Sequence, residues 1–513
     1  MKTILIKYFT SLILILGVAG FIACSSGGDD EAQYSITFAE NPVMVGSKEG
    51  SYTVQVTTVH EWKATTSDGW ITGVTASGTG NGTLAFNVGQ NSLNDFRDGT
   101  ITLSVPNSSY TKPLTVRQMA YTPSITFNPG IASFQTVGGT QNIIIYANNN
   151  WVIDNVSGDW INAVRKNNSQ LTVSTVANLT GAARSGEITV RDAVDNSTYT
   201  IPVTQEFVSS VFKGATTEMG RRFVHYSDGL VSGTVTSDKQ YSINEQVSVL
   251  EIAYLDNAYN AYSVFIFDIH LKNGTTLRMT TADDEDSSIK TTTNEWTEMQ
   301  IVRGQLAAMQ NKRSATLDVL GGVNGDFCYI ESTFPGYRNL LYGVMYRGGV
   351  CLKSTFDGGE ACTTFALMKD GTVRIMTHAQ YALVNKNDIL EAIGGVPMLL
   401  SAGVNVSTDS TLEPRTAFGC NKEGDRAFLL IVDGRRSGYS VGASFPMMAK
   451  MFLAMGAYDA TNTDGGGSAT FAIKKSNATM PVTADSFETR NRPTDNTGDR
   501  AIPNGVAIVK LKN

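Results

Sequence analysis

Histidine, cysteine and charge are all scarce in this chain. Only four histidines occur in 513 residues, His60, His225, His270 and His378. No G-x-S-x-G elbow, phosphate-binding loop or dinucleotide fingerprint accompanies them, so neither a Ser–His–Asp hydrolase nor a nucleotide-cofactor enzyme has sequence support. His378, after an apolar strand, reads either as a structural histidine or as a group reaching a site. Five cysteines, none spaced as CxxC, argue against a structural zinc site. Cys328, Cys351, Cys362 and Cys420 fall in the C-terminal part, where a Cys351–Cys362 disulfide across a hairpin and buried free thiols are equally open readings. Charged residues make up 17% of the chain and the net charge is −7, with no basic run. That composition argues against a nucleic-acid partner. The only N-terminal apolar run, Ser11–Ile22, is too short for a lasting membrane span.

What is present at the N-terminus is an export signal. Met1, Lys2 and Lys7 give a basic start, the apolar run follows, and Cys24 comes directly after Ala23. This reads as a lipoprotein signal peptide over 1–23, with Cys24 the lipidation site. Residues 24–33, with Ser25–Glu31 (SSGGDDE), read as a flexible acidic tether. The acidic stretch resembles the signal that follows the cysteine in surface-displayed lipoproteins. An outer-membrane lipoprotein exposed at the cell surface, held to the membrane by its lipid, is therefore expected.

An apolar content of 42% can fill several cores, and the length predicts roughly three or four domains of ~150 residues. Forty-nine glycines and short Thr/Val-rich segments favour strands and turns. Two repeats fill the region up to about residue 206. Ser35-Ile36-Thr37-Phe38 returns as Ser124-Ile125-Thr126-Phe127, and Trp62 returns as Trp151. Trp70-Ile71 returns as Trp160-Ile161, and Arg97-Asp98-Gly99-Thr100-Ile101 as Arg184-Ser185-Gly186-Glu187-Ile188. Both repeats close on glutamine, Gln118 and Gln205. With alternation such as Tyr52-Thr53-Val54-Gln55-Val56, this spells two immunoglobulin-like β-sandwiches, over 34–119 and 123–206. These signals, in this order, resemble the BACON module. The resemblance implies carbohydrate or mucin binding, whereas the repetition of all four tryptophans favours core packing and a spacer role, since a repeated fold repeats its core.

From about Val208 to the end the repeat stops, and residues 208–513 read as a strand-dominated α+β domain. The chain as a whole is thus multidomain, two all-β sandwiches followed by an α+β domain. Val247–Tyr254, Tyr262–Leu271, Thr363–Leu367, Thr372–Thr377 and Ala427–Val432 read as strands, and Glu298–Gln310 as a helix weakened by Gly304. Ser444, Pro446 and Gly456 carry the start and stop signals of a second helix, whose Met448, Phe452 and Met455 share one face. Carboxylates stand beside glycines at strand ends. Asn324-Gly325-Asp326-Phe327 follows an apolar run, Asp433-Gly434-Arg435 follows Val432, and Asp464 opens Gly465-Gly466-Gly467-Ser468. Glycines allow close approach of a ligand and leave N–H groups to meet an anion.

These segments, with Ile393-Gly394-Gly395-Val396-Pro397-Met398-Leu399, Pro414-Arg415-Thr416-Ala417-Phe418-Gly419 and Arg500-Ala501-Ile502-Pro503-Asn504-Gly505, resemble the phosphodiester glycosidase family over roughly Val247 to the C-terminus. The chain has Cys328 where that family usually carries a second aromatic. The resemblance implies hydrolysis of a sugar-1-phosphodiester, GlcNAc-α-1-phosphodiester-like, releasing the sugar and a phosphomonoester from a phosphodiester-linked glycan. Arg415 is then expected to bind phosphate oxygens, helped by free N–H groups of Gly465, Gly466 and Gly467. Asp464, Asp326 and Asp433 are the candidate catalytic carboxylates. Asn324, Ser468, Arg500 and Asn504 are expected to complete the substrate-binding wall. No cofactor is required by the sequence, and a divalent cation held by the aspartates stays open, with no EF-hand or HExxH spacing to support it. The alternative is a non-catalytic surface lipoprotein that binds glycan.

Overall fold

The computed structural model describes residues 34–512 apart from 94, 122–124, 195 and 496–497. Residues 1–33, where the sequence leads one to expect a signal peptide, the lipidation site Cys24 and an acidic tether, lie outside the described residues. Among the described residues no helix is long and apolar enough to cross a membrane.

Each repeat folds into two packed sheets. In the first, Thr37–Phe38, Gly50–Thr57, Gly82–Val88 and Ile71–Thr72 face a sheet of Val43–Val45, Thr111–Gln118, Arg97–Ser104, Glu61–Thr66 and Ser77–Thr79. The second has the corresponding pair of four-stranded sheets. Alternation decides the inward residues, since Val54 and Val56 are buried while Thr53 and Gln55 face water. Trp62 and Trp151 fill the two cores, and their indoles donate to Gly80 O at 3.2 Å and Asn168 O at 2.7 Å. Trp70 and Trp160 lie half-buried beneath the guanidiniums of Arg97 and Arg184, each 4.4 Å from the ring. The closing glutamines complete the motif. Gln118 accepts from Arg97 Nε at 2.8 Å and Gln205 from Arg184 Nε at 2.9 Å, while their amides donate to Gly89 O and Val176 O. A Cβ on Gly99 would come 2.6 Å from Trp70 and 2.7 Å from Ile71. The Trp-Ile, Arg-x-Gly-x-Ile and terminal Gln signals are therefore one packing unit, to which Trp70 and Trp160 belong, while Trp62 and Trp151 fill the cores.

The C-terminal part carries three large sheets and two short two-stranded ones. An eight-stranded sheet includes Val247–Leu255, Ala261–His270, Arg426–Val432, Arg415–Cys420 and Asp459–Thr463 as consecutive neighbours. A second runs Thr275–Thr281, Asn504–Leu511, Leu317–Asn324, Phe471–Lys474, Phe487–Thr489. The third contains Met345–Arg347, Ile389–Gly395, Thr363–Met368 and Val373–Thr377. The unbroken apolar run of Arg426–Val432 has a physical cause: both of its faces are covered. Phe428, Leu430 and Val432 pack with the helix Phe445–Met455, and Ala427, Leu429 and Ile431 pack with Phe267, Phe418 and Val506 on the other side. That helix begins at Ser444, whose hydroxyl accepts from Met447 N, and stops at Gly456 with φ 92°. The other expected helix is Val302–Arg313. It starts later than read from sequence because Gln300–Ile301 pairs with Ala501–Ile502 as a strand.

The second sandwich and the C-terminal part share a core. Ala177 and Leu179 of the sandwich lie in one buried cluster with Phe212, Phe223 and Leu250, and Arg221 Nε donates to Leu179 O at 2.6 Å. Cys328, Cys351, Cys362 and Cys420 are all free thiols, Cys351 exposed and the others buried.

Candidate active site

Three strands from two sheets end together. Leu317–Asn324 delivers Asn324 and Asp326, Arg415–Cys420 begins at Arg415, and Asp459–Thr463 ends before Asp464. The clamp is Asn324, fully buried. Its amide donates to Asp464 O at 2.6 Å and accepts from Thr416 Oγ1 at 2.8 Å and Thr470 N at 3.1 Å. Only a side chain with both a donor and an acceptor can tie these segments. Asp464 N donates in turn to Gly325 O at 3.1 Å, so the two aspartate loops are stitched backbone to backbone. Asn324 thus holds the site together and is not part of the cleft lining.

Asp326 is buried to 2% exposure. Its backbone N–H donates to Asn504 Oδ1 at 2.9 Å and its Oδ2 accepts from Gly343 N at 2.7 Å. Among the described residues its Oδ1 has no partner of good geometry. The carboxylate fits only because two residues lack side chains: a Cβ on Gly343 would stand 2.7 Å from Oδ2, and one on Gly394 would collide with it. The Ile393-Gly394-Gly395 motif therefore makes room for an acid, a role its sequence does not announce. Burial pushes Asp326 up to about 7, relieved in part by the Gly343 N–H and the Lys353 charge, while the nearby Asp464 charge adds to the rise. Lys353 is itself buried and held by Thr355 O and Asp357.

Asp464 opens onto a cleft of about 320 Å³ lined also by Phe327, Glu413, Pro414, Arg415, Arg435, Gly465, Gly466, Gly467 and Arg500. Burial raises its pKa to about 6, against the Ser468 hydroxyl, the Arg500 charge and the Gly465 N–H. The three cleft arginines differ. Arg500 is locked bidentately on Asp495 at 2.7 and 2.8 Å and also reaches Ser468 Oγ at 3.5 Å. Arg435 pairs with Glu413 at 2.6 Å. Arg415 lies over Phe445, 4.2 Å from the ring, and donates to Ala443 O and Thr411 O. Among the described residues Arg415 has no carboxylate within ion-pair distance. It is the cleft cation with charge to spare.

Three further expectations change. The N–H groups of the glycine loop are not all free: Gly466 N donates to Pro414 O at 2.9 Å, because Gly465 passes against the Pro414 backbone. Gly467 is required for space, since a Cβ there would strike Asp495 and Arg500. Asp433 lies outside the cleft lining. Its oxygens accept from Tyr439 OH and Arg492 N, both at 2.7 Å, and from Asn491 Nδ2 at 2.8 Å. It organises the 491–492 segment from the interior. Asn504 likewise acts behind the site, through Asp326. His378 lies apart, beside Phe356 with ring centroids 4.6 Å apart.

Arg435, Phe327, Gly343 and Gly394 belong to the site and carry no sequence signal beyond membership of motifs or, for Gly343, none at all. Among the described residues no three His, Cys, Asp or Glu side chains gather as a metal site, so the cation left open by sequence has no such cage there.

Residues 318–509 match the phosphodiester glycosidase family model. The BACON model, which describes an N-terminal binding domain, matches residues 60–119 and again 149–206. No curated protein matches the chain. Among solved structures, the chain is similar to the catalytic domain of zebrafish N-acetylglucosamine-1-phosphodiester alpha-N-acetylglucosaminidase, auto-inhibited by its pro-peptide. The identity is 20%, the TM-score 0.39, and the match covers 54% of this chain and 89% of that one. A hypothetical protein from Synechocystis is similar at 11% identity and TM-score 0.35, covering 82% of this chain and 91% of that one.

Proposed function

We propose that the C-terminal domain hydrolyses a sugar-1-phosphodiester, releasing the sugar and leaving a phosphomonoester. The observation that carries this reading is the presence in one cleft of Asp464 and of Arg415, a cation with no carboxylate partner among the described residues. A phosphodiester is an anion, and a guanidinium already oriented by two carbonyls and a ring loses little entropy on taking it. Asp464 then meets the anomeric carbon, where oxocarbenium character develops, or activates the water that attacks it. Asp326, buried behind the cleft rather than lining it but within reach of the Asp464 charge, and with one oxygen unpartnered among the described residues, supplies a carboxyl that still holds its proton near neutral pH. Two carboxyls with different environments are the usual arrangement for acid and base roles. Phosphate leaves readily, so the acid contributes less than for an ordinary glycoside. The natural setting proposed is the outer face of the outer membrane, with the lipid on Cys24 and the sandwiches as spacers.

The test is sugar release from methyl GlcNAc-α-1-phosphate by the full chain, run with Asp464→Asn and Arg415→Ala variants of unchanged fold, with and without chelator. Loss of turnover in both variants supports the reading. Absence of turnover across a panel of sugar-1-phosphodiesters, with glycan binding retained, would establish the binding-protein alternative instead.

A further inference from the structure

The segment between Asp326 and Gly343 leaves the cleft as a hairpin, Cys328–Tyr329 pairing with Leu340–Leu341. Five aromatic rings gather on it. Phe327 and Tyr342 are 5.7 Å apart, Tyr342 and Tyr329 4.3 Å, Tyr329 and Tyr337 4.5 Å, and Tyr329 and Phe334 5.3 Å. None of the five is buried, and Phe334 and Tyr337 are 40% and 42% exposed. Contiguous exposed rings on a folded protein mark a contact surface.

The hairpin is nevertheless rigidly built. Glu331 accepts from Gly336 N at 2.7 Å and Arg338 N at 2.6 Å, and its own N–H donates to Asn339 Oδ1 at 3.1 Å. Tyr329 OH donates to Asp357 O at 2.8 Å, fixing the central ring. Order without burial contributes little to folding but lowers the entropic cost of receiving a ligand. The patch is also continuous with the cleft, because Phe327 belongs to both, and Tyr342 is close enough to feel the Asp464 charge. The cleft presents arginines for an anion, whereas the hairpin presents ring faces and hydroxyls to something neutral. A pyranose ring, with an apolar C–H face and a hydroxyl rim, is the neutral partner such faces fit.

We infer that the 327–342 aromatic hairpin is a carbohydrate-stacking subsite that takes a neutral pyranose ring continuing from the sugar phosphodiester held in the arginine-lined cleft. This rests on the reading of that cleft, but its test does not need turnover. Binding of neutral disaccharides (diacetylchitobiose, cellobiose, mannobiose) to the full chain is measured by calorimetry and saturation-transfer NMR. At least one is expected to bind with Kd on the order of 1 mM, weakened about tenfold by Tyr337→Ala and by Phe334→Ala, and restored by Tyr337→Trp. Both target rings are exposed, so unchanged melting temperatures accompany the loss. The inference is overturned if no disaccharide binds, or if binding survives both alanine variants. It is also overturned if adenosine monophosphate binds in a Tyr337-dependent way while disaccharides do not, which identifies a base-stacking surface. Failure of the cleft reading shows separately, as absent sugar release.

Discussion

Asp326 and Asp433 stand in matching local settings, each near the end of an apolar strand beside a glycine, yet the structure treats them oppositely. Asp433 accepts from three donors that converge on its two oxygens. Asp326 accepts the Gly343 N–H on Oδ2, and among the described residues its Oδ1 has no partner of good geometry. Burial raises both above the ordinary carboxylate range. What separates them is satisfaction: a carboxylate with both oxygens engaged braces a fold, and one left with an unengaged oxygen is poised to hold or exchange a proton.

The sharpest break of this contrast is expected at Asp464, the third acid, which faces the cleft. Asp464→Asn should lower kcat about 10³-fold while leaving the melting temperature unchanged, as single-turnover kinetics and calorimetry would check. Asp326→Asn comes next, with a loss of about 10²-fold in kcat/KM. The wild-type pH profile should be bell-shaped, rising as Asp464 ionises near 6 and falling as Asp326 ionises near 7, and the alkaline limb should vanish in this variant. The stability sign follows from the raised pKa. Between the ordinary carboxylate range and about 7 the folded state holds a proton the unfolded chain has released, so stability falls with rising pH. Asp326→Asn should remove its share of that fall, leaving the part due to Asp464 and Asp433, and keep the protein at least as stable as wild type at pH 8 by urea titration. Asp433→Asn should do the reverse. Its new NH₂ would face groups that already donate, costing about 2 kcal/mol of stability while sparing activity per folded molecule. A normal melting temperature for that variant would erase the distinction. The smallest effect belongs to Ser444→Ala, a cap with neither role, at about 1 kcal/mol and no change in turnover.

Much of this was legible in the sequence where local pattern decides structure. The sandwiches repeat their tryptophans, arginine and glutamine because one packing unit is built twice. Arg426–Val432 is apolar throughout because it is covered on both faces, and Ser444 and Gly456 bound their helix by local chemistry alone. The different fates of Asp326 and Asp433 were not legible. They depend on Gly343 and Gly394 in one case and on Tyr439, Asn491 and Arg492 in the other, all brought in by tertiary pairing. The glycine loop misled for the same reason. Its flexibility is local, but the acceptor of the Gly466 N–H, Pro414 O, arrives from a neighbouring strand. The thiols, open between disulfide and free from the sequence, are free in the fold, Cys351 facing water and Cys328, Cys362 and Cys420 buried.

The core shared by Ala177, Leu179, Phe212 and Phe223 has an evolutionary consequence. Modules that meet through a bare linker can be shuffled by recombination, since a cut there exposes nothing apolar. A crossover just after Gln205 would strip Leu179 from Phe223 and leave Arg221 without its carbonyl. The second sandwich should therefore be inherited with the C-terminal domain as a single cassette.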